Sequence, residues 1–319
     1  MTTLVNILFN SDYKKYLEIV ETNLIEHRIE ERLEKTTGLK YFLANYEYDK
    51  PEMMEEISNF WKVYKRVYGK ENKAKPIILS IYEKYYKQEA TTVSQFHEKA
   101  SEFIEQSIRL NKKNCQIIQK LLGNILDFDR IRVECMENLL SMKFTQKEKV
   151  KDYIGSKHWA SYLNAKLKNK YGKTEKYSEN EVDLVNLFKL LIHKLIAINE
   201  HCKLLNLRLL DDIDMSLEAQ YSNAMDLEFK ILDEIKKESS ENEIKSIQGC
   251  LKDVQTSLDL RSKLKGSKKM APYGFFNQII RKSGNYWTDS SMYDIQPPAV
   301  LRNCISTIRG ELENENLVF

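Results

Sequence analysis

Glycine and proline are scarce in this sequence, which has 10 Gly and 5 Pro in 319 residues. Together they make up roughly 5% of the chain, against about 12% in an average protein. Connections between β-strands need Gly, Pro, Asn or Asp to set their backbone dihedral angles, so ordinary β-sandwiches, barrels and doubly wound sheets are excluded. The composition predicts an all-α fold.

The chain also lacks a charge imbalance and a long apolar run. Its 50 Lys and Arg against 47 Asp and Glu give a net charge of +3. A nucleic-acid-binding domain is usually much more basic, so we expect no nucleic-acid partner. No apolar stretch approaches the roughly 18 residues needed to cross a bilayer. The first residues lack the basic lead-in and the cleavage site of a secretory signal. We therefore expect a cytoplasmic protein.

The cysteines show no pattern of a disulfide framework or a zinc site. They are odd in number and far apart, at Cys115, Cys135, Cys202, Cys250 and Cys304. Most lie in apolar stretches with helical spacing. This arrangement predicts reduced, buried thiols in a cytosolic protein.

Motifs of known active sites are missing as well. No two of the five histidines form the i, i+4 pair of a helical zinc site. The cluster of Asp211, Asp212 and Asp214 places its third carboxylate on another helix face than a magnesium site needs. No glycine-rich phosphate loop and no G-x-S-x-G sequence occurs. We therefore expect no catalytic residue, no metal and no cofactor, and a protein that is not itself a catalyst with its own active site.

The chain is predicted to contain two helical domains joined by a basic linker. In residues 1–165, short breaks separate helices in the manner of a compact bundle. One buried stripe follows from apolar and tyrosine side chains at helical spacing, namely Ile77, Ile78, Ile81, Tyr82, Tyr85 and Tyr86. Residues 166–177 contain five lysines and are typical of an exposed linker.

The second domain, 178–319, is predicted to consist of long antiparallel helices. Ser178 and Glu181 have the spacing of a capping box. No Gly or Pro follows through Ser239, which fits one long helix or two helices with a break near Asn206 or Asp211. A short connection then leads to a second long helix, so the two should form an antiparallel hairpin.

The end of this domain is predicted to be less regular. Residues 265–298 hold three of the ten glycines, Gly266, Gly274 and Gly284, and three of the five prolines, among many aromatic side chains. A segment this apolar cannot stay solvated, so we expect it to pack on the helices. Residues 299–312 predict one last helix.

Two lysine clusters flank the long helices. A run of charge is usually a solvated surface. The alternative is attraction to anionic lipid headgroups, worth about 1 kcal/mol per cation at a membrane surface. This alternative predicts contact with the inner face of the plasma membrane through Lys166, Lys168, Lys170, Lys263, Lys265, Lys268 and Lys269.

The stretch from Ile81 to Ser94 (IYEKYYKQEATTVS) resembles the middle of an RGS domain, the helical regulator of G-protein signalling. Other landmarks of that family occur in the family's order over about residues 1–165. For the aromatic pair of the family, Asn59–Trp61 is an alternative to Leu39–Phe42. The landmarks are Leu4, Leu8, Tyr13, Tyr16, Leu17, Leu39–Phe42, Tyr48, Lys50, Phe128, Asp129, Asn138, Leu139, Tyr153–Ser156, Trp159 and Leu163.

The resemblance implies an RGS-like bundle that binds an active Gα subunit of a heterotrimeric G protein. The positions that contact Gα in the family correspond to Thr37, Gly38, Thr92, Val93, Ser94, Glu148, Lys149 and Asp152. Several of them hold other residue types than the family presents, and each lost hydrogen-bond partner costs about 1–3 kcal/mol. We therefore expect a regulator or effector of G-protein signalling without efficient GTPase acceleration.

A second interpretation starts from the long helices rather than from the resemblance. Helices free of Gly and Pro after Ser178, with lysines at their ends, also suit a BAR-like or coiled-coil scaffold on an anionic membrane. Such a protein would form a homodimer through its second domain.

Overall fold

The computed structural model describes Leu43 and residues 74–121, 126–141, 143–144, 152–170, 179–209, 218–265, 286–287 and 298–311. Across these residues the fold is all-α, with nine α-helices and one pair of two-residue strands. The predicted fold class is confirmed at this level. None of the described helices is long and apolar enough to cross a membrane. The chain divides into two compact units, 1–142 and 143–319.

Three helices of the first unit lie within residues 74–141 of the described chain, and they pack against one another. They are α1 (Ala74–Ser94), α2 (Ala100–Gln116) and α3 (Leu126–Leu140). A π-helical turn, Ile117–Leu121, continues α2. Between α1 and α2 the backbone N–H groups of residues 95, 96, 97 and 99 each bond to the carbonyl three residues earlier. This tight connection lets α2 fold back against α1.

The tyrosine stripe of α1 belongs to the core of the described part of the first unit. Ile78, Tyr82, Tyr85 and Tyr86 are buried, as the helical spacing predicts. The ring of Tyr82 packs edge-on against Phe128 of α3, with 5.2 Å between centroids. Its hydroxyl donates to Asn114 Oδ1 of α2 at 3.2 Å. The stripe therefore connects α1 to both α2 and α3.

The second unit begins with the strands β1 (Lys143–Phe144) and β2 (Asp152–Tyr153), which pair antiparallel with Lys143 opposite Tyr153. Six helices follow. They are α4 (Ile154–Lys170), α5 (Glu179–Lys189), α6 (Lys194–Leu207), α7 (Glu218–Lys236), α8 (Glu241–Lys265) and α9 (Ala299–Glu311). Helix α6 is central, because it packs on both α4 and α8.

The described residues between 179 and 236 form three helices, α5, α6 and α7, and the turn between α5 and α6 excludes one long helix. The first break, between α5 and α6, lacks Gly and Pro. Leu187, Phe188, Leu190 and Leu191 are all buried there, and so dense a set cannot lie on one face of a straight helix. The chain turns to bury them, and His193 becomes the N-cap of α6. Helix α6 ends at Leu207, and residues 210–217, where the predicted break near Asn206 or Asp211 would continue, lie outside the described residues.

Helices α7 and α8 form the predicted hairpin. Their connection ends in a cap at Ser240, whose backbone N–H and side-chain hydroxyl donate to Glu243 Oε2 at 2.7 and 2.8 Å. The first of these bonds lowers the pKa of the Glu243 carboxyl. The predicted last helix is confirmed by α9, over Ala299–Glu311.

The compact units divide the chain earlier than the predicted domains. The boundary of the units lies between Met142 and Lys143, whereas residue 165 lies inside α4. The segments 1–165, 166–177 and 178–319 stay a prediction about which pieces fold independently.

Candidate functional site

The residues predicted to contact Gα do not form a described surface. Thr92, Val93 and Ser94 lie together in the last turn of α1. Val93 is buried, and the two hydroxyls donate to α1 carbonyls, Thr92 to Gln88 and Ser94 to Thr91. Asp152 stands in β2, opposite Phe144. Thr37, Gly38, Glu148 and Lys149 lie outside the described residues.

The predicted membrane-facing lysines fall at two helix ends. Lys166, Lys168 and Lys170 occupy the last turns of α4, where the Lys166 ammonium lies 4.9 Å from the centre of the Tyr162 ring. Lys263 and Lys265 belong to the last turn of α8. Lys268 and Lys269 lie outside the described residues. The described part of the chain also contains no group of three His, Cys, Asp or Glu side chains that could hold a metal ion.

A buried polar cluster lies in the second unit. Arg208, just after α6, donates through Nε and Nη2 to Glu228 Oε1 of α7 at 3.0 and 2.8 Å. Its Nη1 donates to Asn164 Oδ1 of α4. His201 lies on α6 about two turns before Arg208 and is buried. Its burial, together with the Arg208 charge, holds the pKa of the imidazole well below the usual value. The cluster joins α4, the end of α6 and α7. The side chains of Arg208 and Glu228 are shielded from solvent, so a ligand cannot reach them.

A groove between α6 and α8 holds two aromatic residues from later in the chain. Its walls are Asn206 of α6 and Gly249, Cys250 and Asp253 of α8. Tyr286 and Trp287 occupy it, with Trp287 only 8% exposed. This confirms, for these two residues, the prediction that the aromatic-rich segment packs on the helices. We call it the α6/α8 groove.

Sequence reasoning missed the walls of this groove. One signal was available: Gly249 is the only glycine in the 25 residues of α8, and glycine costs about 1 kcal/mol relative to alanine inside a helix. A glycine in that setting usually has a packing reason. Asn206 and Asp253 carried no such signal, because polar residues in a helix are normally solvated.

The outward side of α6 is a second surface feature. Exposed positions recur every four residues, at Leu195, Asn199, Lys203 and Leu207. The two leucines are 48% and 49% exposed and, at 1.5 Å per residue, lie about 18 Å apart along the helix. Ile192, just before α6, is 54% exposed. We call this row the α6 outer row.

The first unit has a shallow groove of its own. It measures about 350 Å³ and is lined by Cys115, Ile118, Gln119, Leu126 and Asp129. Leu126, at the start of α3, is 83% exposed. Asp129 also forms an ion pair with Arg132 at 2.8 Å.

The helical architecture agrees with the result of a comparison with known families. The family model described as "Cullin: Cullin alpha solenoid domain" matches residues 2–261. The match covers well over half of the chain and runs through both compact units. The chain belongs to the cullin family. No curated protein matches it. The cullin match includes all four walls of the α6/α8 groove and the α6 outer row, but not Tyr286, Trp287 or α9.

Membership in the cullin family shows that the RGS resemblance is wrong. Its landmarks are mostly apolar side chains at helical spacing, which any packed helical protein must have. Tyr82, Phe128 and Trp159 are such core residues, and the last landmarks, from Tyr153 to Leu163, belong to the second compact unit. Gα as the partner and a role in G-protein signalling are wrong with it. The residues assigned to Gα contact owed that role to the resemblance alone.

The interpretation as a BAR-like or coiled-coil membrane scaffold is also overturned. The described part of the run that suggested one long helix consists of α5, α6 and α7, and these helices lie inside the cullin match. Burial of Leu190 and Leu191 breaks the run without any Gly or Pro, which sequence patterns for long helices do not register. The homodimer and the anionic membrane surface were predicted on the same grounds and lose that support.

Proposed function

We propose that the protein is a cullin-like scaffold that holds other proteins together in an assembly related to ubiquitin ligases. The observation that carries this proposal is the cullin match over residues 2–261. Cullin-family domains bind other proteins, such as RING and adaptor proteins. The partners we propose are of this class.

The protein supplies positions rather than chemistry in this proposal. The buried polar cluster of Arg208 with Glu228 and Asn164 lies among the helices of the second unit and joins α4, the end of α6 and α7. A scaffold needs this kind of rigid interior, because bound partners keep their spacing only if the helices between them do not shift.

The α6 outer row is the surface we assign to partner binding. Helix α6 is fixed from behind by α4 and α8, while Leu195 and Leu207 stand exposed in front. Apolar side chains between polar neighbours are typical of a surface that binds protein. A partner segment that follows this row across α6 would cover both leucines and contact Asn199 and Lys203 between them.

A cytoplasmic location belongs to the same proposal. All five cysteines are free, and four of them are buried, which suits a compartment that keeps thiols reduced. Peripheral contact with the plasma membrane is not part of the proposal.

Affinity purification of the tagged full chain with quantitative mass spectrometry tests the scaffold function. We expect a RING or adaptor protein at near-stoichiometric amounts with the wild type, and at least tenfold less with L195D/L207D. The variant should fold, because substitutions of exposed residues usually change stability by less than about 0.5 kcal/mol.

The matched control is N242D/Q255D, which adds the same two charges at exposed positions of α8. It should retain the partner. Absence of any RING or adaptor protein from the wild-type sample would refute the scaffold proposal. Equal retention by both double variants would instead refute the assignment of the surface.

A further inference from the structure

The α6/α8 groove fits an aromatic ring at Gly249. A Cβ atom at this position would lie 2.3 Å from Cδ2, 2.6 Å from Cε2 and 2.7 Å from Cγ of Tyr286. The ring therefore lies directly on the backbone of α8, and any other residue would collide with it. The contact explains why α8 carries a glycine in its interior despite the loss of helix propensity.

The groove also binds the backbone of the same residue. The Tyr286 carbonyl oxygen accepts a hydrogen bond from Asn206 Nδ2 at 3.2 Å and another from Cys250 Sγ at 3.3 Å. Asn206 and Cys250 are both fully buried. Two donors on different helices thus converge on one carbonyl, which fixes the direction in which a peptide enters.

The next residue is recognised by its side chain. The indole Nε1 of Trp287 donates to Asp253 Oδ2 at 2.9 Å, and Asp253 is only 3% exposed. A buried carboxylate is costly unless it receives hydrogen bonds. Among aromatic side chains, tryptophan offers a large apolar surface together with an N–H donor and no acceptor, which matches this wall.

These contacts describe a recognition site with three separate requirements: a flat ring, a backbone carbonyl and an indole N–H. The walls lie inside the cullin match, whereas the dipeptide lies outside it. We propose that the α6/α8 groove is a recognition site for a Tyr-Trp dipeptide, which the chain's own Tyr286–Trp287 occupies in competition with a partner protein that presents the same dipeptide. This inference does not depend on the scaffold function.

Covalent connection explains why the site is occupied by its own chain. Twenty residues separate Lys265, the end of α8, from Tyr286. A ligand tethered by a short chain has an effective concentration of the order of mM. A free peptide at μM concentration therefore competes poorly until the internal ligand is weakened.

The test uses the full chain and a fluorescein-labelled peptide with the sequence of residues 283–290, SGNYWTDS, followed by fluorescence anisotropy. We expect the Trp287→Ala variant to bind this peptide at least tenfold more tightly than the wild type. Adding Asp253→Ala or Gly249→Val to Trp287→Ala should weaken binding at least tenfold. A peptide with both aromatic residues replaced by alanine should not bind.

Leu110→Ala is the control for a general loss of stability, because Leu110 is a buried core residue of the first unit. It should bind the peptide as weakly as the wild type. The proposal is overturned if folded Trp287→Ala binds no better than the wild type, or if Asp253→Ala leaves its binding unchanged.

A second measurement covers the case in which Trp287→Ala does not fold. Brief chymotrypsin digestion, read by mass spectrometry, reports whether the Tyr286–Trp287 bond is protected. We expect Gly249→Val, in the otherwise native chain, to speed cleavage there at least tenfold relative to the wild type. Equal cleavage rates in the two proteins would overturn the proposal.

Discussion

The Arg208 guanidinium lies against the Glu228 carboxylate in the interior of the second unit, with 2.8 Å between Nη2 and Oε1 and almost no exposure of either side chain. The two residues are 20 positions apart and join the end of α6 to α7. Taking both charges out of water costs several kcal/mol per ion, which their attraction repays only when the geometry is good. The pair therefore requires both members to be present.

Replacing one member should be far worse than replacing both. We expect Glu228→Gln to lower the free energy of unfolding by about 3–5 kcal/mol, because it leaves a buried guanidinium without its counter-charge. The double variant R208M/E228L should lose less than Glu228→Gln. Urea unfolding followed by circular dichroism measures both.

The control for this prediction is Glu234→Gln on the same helix. Glu234 pairs with Lys237 at the surface, and exposed pairs contribute about 0–1 kcal/mol. A Glu228→Gln variant as stable as Glu234→Gln would show that the buried charge is tolerated without its partner.

His201 should make the second unit sensitive to acid. Burial, aided by the Arg208 charge, keeps the pKa of the folded-state imidazole well below 6.5, so the folded protein holds this residue neutral while the unfolded chain protonates it below about 6.5. Stability is therefore fully present above that pH and falls as the pH drops, by up to about 1.4 kcal/mol per pH unit.

The comparison of pH 7.5 with pH 5.5 isolates this contribution. His201→Phe keeps a ring of similar shape and removes the titration, so its loss of stability over this interval should be smaller than that of the wild type by about 1–2 kcal/mol. Urea unfolding at both pH values provides the measurement. Identical losses in the two proteins would contradict the assignment.

The sequence was informative where a local pattern decides the outcome. Scarcity of Gly and Pro indicates helices because strand connections need those residues. The spacing of Tyr82, Tyr85 and Tyr86 indicates a buried stripe because one helix face must be covered. The aromatic character of residues 265–298 indicates packing on the helices, which Trp287 shows.

The sequence was uninformative where two residues in contact are far apart in the chain. Arg208 meets Glu228, and Asn206 meets Tyr286 across 80 residues. In the sequence alone, these buried polar residues cannot be distinguished from polar residues that are exposed to solvent. The break before α6 depends on burial of Leu190 and Leu191, which propensity does not register. The RGS landmarks were core residues, and core residues alone do not distinguish one helical family from another.

Two tyrosines of the same stripe should respond differently to loss of their hydroxyl. The Tyr82 hydroxyl donates to Asn114, so Tyr82→Phe should cost about 1–3 kcal/mol by leaving a buried amide oxygen without this donor. The Tyr86 hydroxyl is buried and finds no hydrogen-bond partner among the described residues. Tyr86→Phe should therefore stay within about 0.5 kcal/mol of the wild type or exceed its stability.

Thermal or urea unfolding of both variants decides this prediction, and each serves as the control for the other. Burial raises the pKa of both phenols, so both are neutral at any pH used for the measurement. An equal cost for the two substitutions would indicate that the Tyr82–Asn114 bond contributes nothing beyond ring packing.

Cys135 should resist alkylation until the solution is strongly alkaline. Burial raises the pKa of its thiol to about 11, and the thiolate is the reactive form. At pH 8 a thiol with the usual pKa of about 8.5 is roughly a quarter ionised, whereas one with a pKa of about 11 is ionised to about 0.1%, some two orders of magnitude less.

The rate of iodoacetamide modification, measured by mass spectrometry of the native chain, should therefore rise about tenfold per pH unit from 7 to 9.5 without levelling. The same cysteine in the urea-unfolded chain provides the control and should level off near pH 9. A native rate that levels off at the same pH would contradict the burial of Cys135 between the α1 and α3 helices of the first unit.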